Sequence, residues 1–188
     1  MPEYTLTSAA PLAGTDISVA GTRLMAPADL AIVSVALPLG EEKPAGKAIR
    51  AAYGVALPEV GKSSLAKDDS RLVRLGSDLA FVIFVHPTPD AERVVAARLE
   101  GAAYTTDQTD VWMALDLSGP SARRALERIC PIDLHPDVFA IGDSARTMME
   151  HLGTLIIRTG DDSYRLLSGS SSAGSFLHAI ETSLANIT

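Results

Sequence analysis

Two short segments constrain the fold of this 188-residue chain more than anything else in it. Leu79 to Val85 (LAFVIFV) and Leu30 to Leu37 (LAIVSVAL) are apolar at almost every position, with Ser34 the one polar residue. Successive side chains of a strand face opposite ways. Leu79, Phe81, Ile83 and Val85 therefore share one face, and Ala80, Val82 and Phe84 share the other. Strands that are apolar on both faces are buried on both faces. Either helices cover both sides of such a sheet, or a second subdomain or a partner chain covers one side.

The rest of the chain supplies helices and further strands. The first 27 residues are small and polar and read as irregular chain or a short hairpin, with Gly14 and Gly21 as breakers. Asp29 to Leu39 reads as a strand stopped by Pro38 and Gly40. Pro44 fits the first position of a helix whose stripe is Ala45, Ala48, Ile49 and Ala52, ended by Gly54. Residues 55–69 read as a loop. Strands Arg71 to Leu75 and Leu79 to Val85 follow, joined at Gly76-Ser77-Asp78. Thr88 and Pro89 suit the cap and first position of a helix carrying Ala91, Val94, Val95 and Leu99 inward, closed by Gly101. After strands at Ala103 to Thr106 and Val111 to Leu117, a helix from Pro120 presents Ala122, Ala125, Leu126 and Ile129 and stops at Cys130-Pro131. Ala145 to Glu150, Thr154 to Arg158 and Ser163 to Leu167 read as strands, the last two joined by Gly160-Asp161-Asp162. A final helix runs from about Ser172 to Ile187, with Phe176, Ile180, Leu184 and Ile187 inward. Four helices among seven or more strands, the strands paired between helices, give an α+β class with a largely antiparallel sheet.

Composition narrows the function. Sixteen Lys and Arg against 23 Asp and Glu leave a net charge of −7, which argues against nucleic acid or a membrane surface as a partner. The longest apolar runs have the length of strands, short of the roughly 20 residues of a membrane helix. Met1 to Thr7 carries no basic region followed by an apolar one, and Cys130 is the single cysteine, so a cytoplasmic, reducing setting is expected.

Motifs that carry chemistry are near-misses. Ala56-Leu57-Pro58-Glu59-Val60-Gly61-Lys62-Ser63 loosely matches the phosphate-binding pattern GxxxxGK[ST], and Val111 to Asp116 resembles the strand that holds magnesium in such proteins. A phosphate loop must follow a strand and open a helix. Here a helix precedes it, Ala56 replaces the first glycine, Pro58 removes an N–H and Glu59 adds negative charge. A surface loop is expected. Gly169 to Ser175 lacks the lysine of a phosphate loop, and Ala173 spoils a GxSxG elbow, so a helix cap is expected. His86, His135, His151 and His178 show no metal spacing, and Cys130 reads as buried packing. Asp161 and Asp162 read as solvated. Arg123, Arg124 and Glu127 form the polar face of their helix. No catalytic, cofactor-binding or metal-ligating residue is assigned.

Leu115-Asp116-Leu117-Ser118-Gly119-Pro120, the helix Ala122 to Ile129, and Cys130-Pro131-Ile132-Asp133-Leu134-His135-Pro136 resemble the gamma subunit of heterotetrameric sarcosine oxidase. Arg74 to Ile83, Thr147-Met148-Met149, Tyr164 to Leu167 and the Phe176-Leu177 helix continue in that family's order, from about residue 28 to the end. The resemblance implies the folate-binding-domain fold of glycine-cleavage aminomethyltransferases. Its two interlocked α+β halves would cover about 28–110 and 111–188. It implies a complex that oxidatively demethylates sarcosine to glycine, with FAD, FMN, NAD and tetrahydrofolate on other subunits. The partners would be larger flavin-bearing subunits, and this chain would be a non-catalytic assembly subunit that binds no cofactor. Folate-using relatives carry a Thr-Gly-Glu-x-Gly-Tyr/Phe-Glu-type hairpin, where this chain has Thr159-Gly160-Asp161-Asp162-Ser163-Tyr164-Arg165. The competing reading is a stand-alone folate- or nucleotide-binding protein.

Trp112 is the candidate interface residue. Val111, Met113, Leu115 and Leu117 share one face of their strand, which leaves Trp112 on the other with Ala114, Asp116 and Ser118. A tryptophan there is either an anchor for a partner or is covered by another part of the same chain.

Overall fold

The computed structural model describes residues 9–187; the N-terminal stretch Met1 to Thr7 lies outside them. Eleven strands form two antiparallel sheets among the described residues. The first sheet contains β3 (Leu30–Ala36), β4 (Ser63–Leu65), β5 (Arg71–Arg74), β6 (Leu79–Val85) and β7 (Tyr104–Asp107), in the order β4-β5-β6-β3-β7. The second contains β1 (Asp16–Val19), β2 (Thr22–Met25), β8 (Trp112–Ser118), β9 (Ser144–Met149), β10 (Leu152–Gly160) and β11 (Ser163–Gly169). Its order is β1-β2-β8-β11-β10-β9. The N-terminal hairpin β1–β2 thus extends the sheet built by the C-terminal part of the chain.

The two-faced strands have a simple cause: the sheets stack on each other, and each carries helices on its outer side. Helices α1 (Glu42–Tyr53) and α2 (Ala91–Leu99) bury Ala45, Ile49, Tyr53, Ala91, Val95 and Leu99 against Val33, Val35, Leu72 and Val82 of the first sheet. Helices α3 (Ala122–Glu127) and α4 (Ala173–Ala185) bury Ala125, Leu126, Phe176, Ile180 and Leu184 against Met113, Leu115, Ile156 and Leu166 of the second. Between the sheets, Ile32, Val73, Phe81 and Ile83 meet Leu155, Ile157 and Leu167. The order of layers is helix, sheet, sheet, helix. Of the two arrangements open from the sequence, a second subdomain of the same chain covers the inner face.

Boundaries differ from the sequence reading for local reasons. Helix α1 starts at Glu42, so Pro44 is its third residue, where the missing N–H still has no intrahelical acceptor to lose. It ends, as expected, at Gly54, which is left-handed at φ 72°. Helix α2 starts at Ala91 and not at Pro89, because Thr88 spends its hydroxyl on Asp90 Oδ1 (2.6 Å) instead of capping a backbone N–H. Helix α3 starts at Ala122, two residues after Pro120. Residues 55–69 are not all loop: Ser63–Leu65 pairs with Arg71–Val73 as an edge strand. The serines before α4 form a short 3-10 turn, and Ser172 makes no side-chain cap hydrogen bond. Gly119 is required by close approach. With φ 124°, an added Cβ would fall 2.5 Å from the Gly21 carbonyl oxygen, where the β1–β2 turn meets the start of α3.

Candidate functional site

Of the groups that the sequence singled out, Trp112 and the Lys62-Ser63 segment lie at the seam between the sheets. Trp112 begins β8 on the inner face and packs edge-on against Phe81 of the opposite sheet, with ring centroids 5.7 Å apart and planes at 71°. It is partly covered, and its indole N–H is buried without a hydrogen-bond partner. The sheet face on which it lies is thus met by the other half of its own chain.

The ends of the seam are polar. Asp116, two positions along the same face, receives both Arg165 Nε and Nη2 at 2.7 Å. Across the seam, Arg71 of β5 donates to Ser63 Oγ at 3.1 Å. Burial lowers the Arg71 guanidinium below its ordinary range, and the nearby Arg165 charge adds to this while Asp116 offsets it.

A second polar contact fastens the halves at their edge. Lys62 Nζ donates to Asp143 Oδ1 at 2.6 Å, and Asp143 Oδ2 accepts the Ala140 N–H at 3.0 Å. Backbone bonds run beside it, from Ser63 N to Gly142 O (2.6 Å) and from Ser144 N to Gly61 O (2.8 Å). The phosphate-loop-like segment is therefore a clasp. Its lysine is held by a carboxylate of the other half, and Ser63 Oγ donates to the Gly142 carbonyl at 3.0 Å. The backbone N–H groups of Lys62 and Ser63 are spent on Glu59 and Gly142 carbonyls and do not converge on an anion.

Sequence reasoning missed two members of this region. Asp143 lies in a loop with no motif around it, and only the fold brings it to Lys62. Arg158 is buried at the end of β10, donating to the carbonyls of Phe139 (2.7 Å), Gly160 (3.2 Å) and Asp161 (2.8 Å). An arginine ending the apolar run Leu155-Ile156-Ile157 was the available signal. It rigidifies the β10–β11 turn, which leaves Asp161 and Asp162 exposed.

The histidines are dispersed. His86 Nε2 lies 2.7 Å from Asp90 Oδ1 and 2.8 Å from Thr88 Oγ1. Thr88, then Arg93 and His86, hold the Asp90 carboxyl well below the usual carboxylate range. His135 lies near Asp137, and His178 lines a shallow cleft between α3 and α4. Among the described residues no group of three or more His, Cys, Asp and Glu is placed to hold a metal ion. Cys130 is buried, and its burial pushes the thiol up. Arg123 pairs with Glu127 at 2.7 Å on the outer face of α3.

Two cavities flank Trp112. One, of about 300 Å³, is lined by His86, Thr88, Asp29, Asp107 and Asp110 together with Trp112. The other, of about 400 Å³, lies at the end of β10 and β11 and is lined by Trp112, Val111, Arg146, Leu152, Gly153 and Gly169 among others. Neither includes the Gly160–Asp162 turn. Among the described residues no helix is long and apolar enough to cross a membrane.

No family model matches the chain. It is 32% identical over 121 residues to the sarcosine oxidase subunit gamma of Arthrobacter sp, a match covering 64% of this chain and 60% of that protein. The sarcosine oxidase subunit gamma of Corynebacterium sp. (strain P-1) is 31% identical over 121 residues, with the same shares covered. The chain thus spans 60% of the length of these relatives. In structure it matches a chain of the heterotetrameric sarcosine oxidase from Corynebacterium sp. U-96, solved in complex with pyrrole 2-carboxylate. The TM-score is 0.80 and the identity 22%, with 95% of both chains covered. It also matches the glycine cleavage system aminomethyltransferase T from Bartonella henselae, with a TM-score of 0.65 and 17% identity, over 86% of this chain and 45% of that one. The chain is similar in sequence to sarcosine oxidase gamma subunits and shares the fold of an aminomethyltransferase half.

Proposed function

We propose that the chain is the gamma component of a cytoplasmic sarcosine oxidase heterotetramer, an assembly subunit without an active site of its own. The larger subunits would carry FAD, FMN, NAD and tetrahydrofolate, oxidise sarcosine to glycine and pass on its one-carbon unit. The observation that carries this reading is the coincidence of gamma-subunit relatives in sequence with a sarcosine oxidase chain in structure.

The state of the polar groups agrees with it. Lys62 is held by Asp143, Asp116 by Arg165, and His86 by Asp90 and Thr88. The Lys62 ammonium and the Asp116 carboxylate are thus each paired with an opposite charge, as groups that hold the fold are. A folate-type cofactor does not fit the β10–β11 turn. Arg158 occupies the carbonyls of Gly160 and Asp161, the two aspartates face solvent, and neither cavity beside Trp112 reaches them.

Affinity purification of the tagged chain from its native cell tests the proposal. The expected result is a stoichiometric complex with larger subunits that carries a flavin spectrum and oxidises sarcosine. A chain that purifies alone at native abundance and turns over sarcosine without a flavin-bearing partner would overturn it.

A further inference from the structure

The cavity at the end of β10 and β11 has a floor that the fold itself does not demand. The register pairs Thr154 with Ser168 and Trp112 with Gly169, so Gly153 lies beside Gly169, and Trp112 stands at the end of the row. Glycine weakens a strand, and inside one it marks close approach of a ligand or another backbone. Neither glycine is needed for its conformation. Gly169 is extended at φ −60°, ψ 131°, and Gly153 has no positive φ. Neither is needed for space. A Cβ at Gly153 would meet nothing within 4 Å, and one at Gly169 only Ser171 Oγ at 4.0 Å. What the two glycines leave is bare, flat backbone under an open slot.

The walls of that slot are chemically one-sided. Trp112 closes one flank, with Val111 and Leu152 adding apolar surface. Arg146, on β9, is exposed, and its guanidinium has no hydrogen-bond or ion-pair partner among the described residues. The lining holds no Asp or Glu to neutralise it, whereas the neighbouring cavity holds three aspartates and a histidine. The hydroxyls of Thr147 and Ser172 also line the slot.

We propose that this slot binds a small planar aromatic carboxylate. The ring lies on the peptide planes of Gly153 and Gly169 against the indole of Trp112, and the carboxylate meets the fork of Arg146. A cavity of about 400 Å³ suits one or two fused rings. The slot is at the opposite end of β10 and β11 from the Gly160–Asp162 turn, so it is separate from the hairpin at which folate-using relatives differ from this chain.

Trp112 is the only tryptophan in the chain, so its fluorescence reports on the slot directly. Benzoate and benzamide are titrated into the full-length chain. Benzoate is expected to give a saturable change with a Kd on the order of 1 mM, and benzamide to bind about tenfold more weakly. Arg146→Met should abolish the preference for benzoate, and Gly153→Ala with Gly169→Ala should remove the response to both probes. Thermal melts should stay close to the parent, since these substitutions touch no core residue. No saturable response, equal binding of the two probes, or binding that survives both variants overturns the proposal.

Discussion

The centre of the inter-sheet seam and its edge hold the same two halves together by opposite means. At the centre, Ile32, Val73, Phe81 and Ile83 meet Leu155, Ile157 and Leu167 in one apolar cluster. At the edge, Lys62 reaches Asp143, and the backbones around Gly61 and Gly142 exchange hydrogen bonds. Apolar burial is strong and non-directional, at roughly 25 cal/mol per Å² removed from water, so it fixes adhesion but tolerates sliding. A hydrogen-bonded carboxylate contributes less, yet it is satisfied in one geometry only. The difference teaches that adhesion and register are assigned to separate residues, and each can be perturbed alone.

The sharpest break of that division is Phe81→Ala. Phe81 is buried and touches Trp112 across the seam. Loss of the ring should cost about 3–5 kcal/mol and lower the melting temperature by roughly 10 °C or more, measured by calorimetry. A change of only a degree or two would mean that the sheets do not adhere through this centre.

Trp112→Ala comes next, at about 3 kcal/mol, because the indole is only partly covered. As a seam residue it lowers the melting of the chain by itself. As an anchor for a partner it leaves that melting unchanged and weakens assembly by about 2 kcal/mol or more. Melting the isolated chain and titrating it against its larger subunits separate the two.

Asp143→Ala tests the edge. It removes the acceptor of Lys62 and leaves the Ala140 N–H unpaired, at a cost of about 1–3 kcal/mol. Hydrogen exchange should speed up at Ser63 and Ser144, whose amides bridge the halves, while the amides of Phe81 and Ile157 stay protected. Uniform loss of protection would show that edge and centre form one cooperative unit.

The centre was legible in the sequence and the edge was not, for a physical reason. Leu79 to Val85 announces double burial because a two-residue period is local, and Ala45, Ile49 and Phe176, Ile180 announce helix faces in the same way. Burial on both faces says that something covers the inner side, yet the identity of the cover depends on contacts far apart in sequence. Lys62 and Asp143 are 81 residues apart, and no pattern around either points to the other. The edge strand Ser63–Leu65 is too short and too polar for periodicity to register. Pro44 and Pro89 shift helix starts by two residues because proline fits several first-turn positions and marks a start only approximately. The slot floor at Gly153 and Gly169 was invisible because its two glycines become neighbours only through strand register.

The smallest expected effect is that of Lys62→Ala, and it bears on both the comparison and the motif. The lysine side chain is 48% exposed, so its charge is largely solvated and its pair with Asp143 is screened. The backbone bonds of the clasp persist without it, and the Ala140 N–H still satisfies Asp143. The loss should therefore stay below about 1 kcal/mol and shrink further at high salt. The same variant tests the phosphate-loop resemblance. A lysine that cradles phosphate must be free to leave its carboxylate, and the N–H groups around it must be unspent, whereas those of Lys62 and Ser63 are bonded to Glu59 and Gly142. Calorimetry with ATP and magnesium is expected to give no heat of binding in the parent or in Lys62→Ala. Micromolar binding in the parent that the substitution removes would mean that the clasp opens, and that the edge is a binding loop and not a register pin.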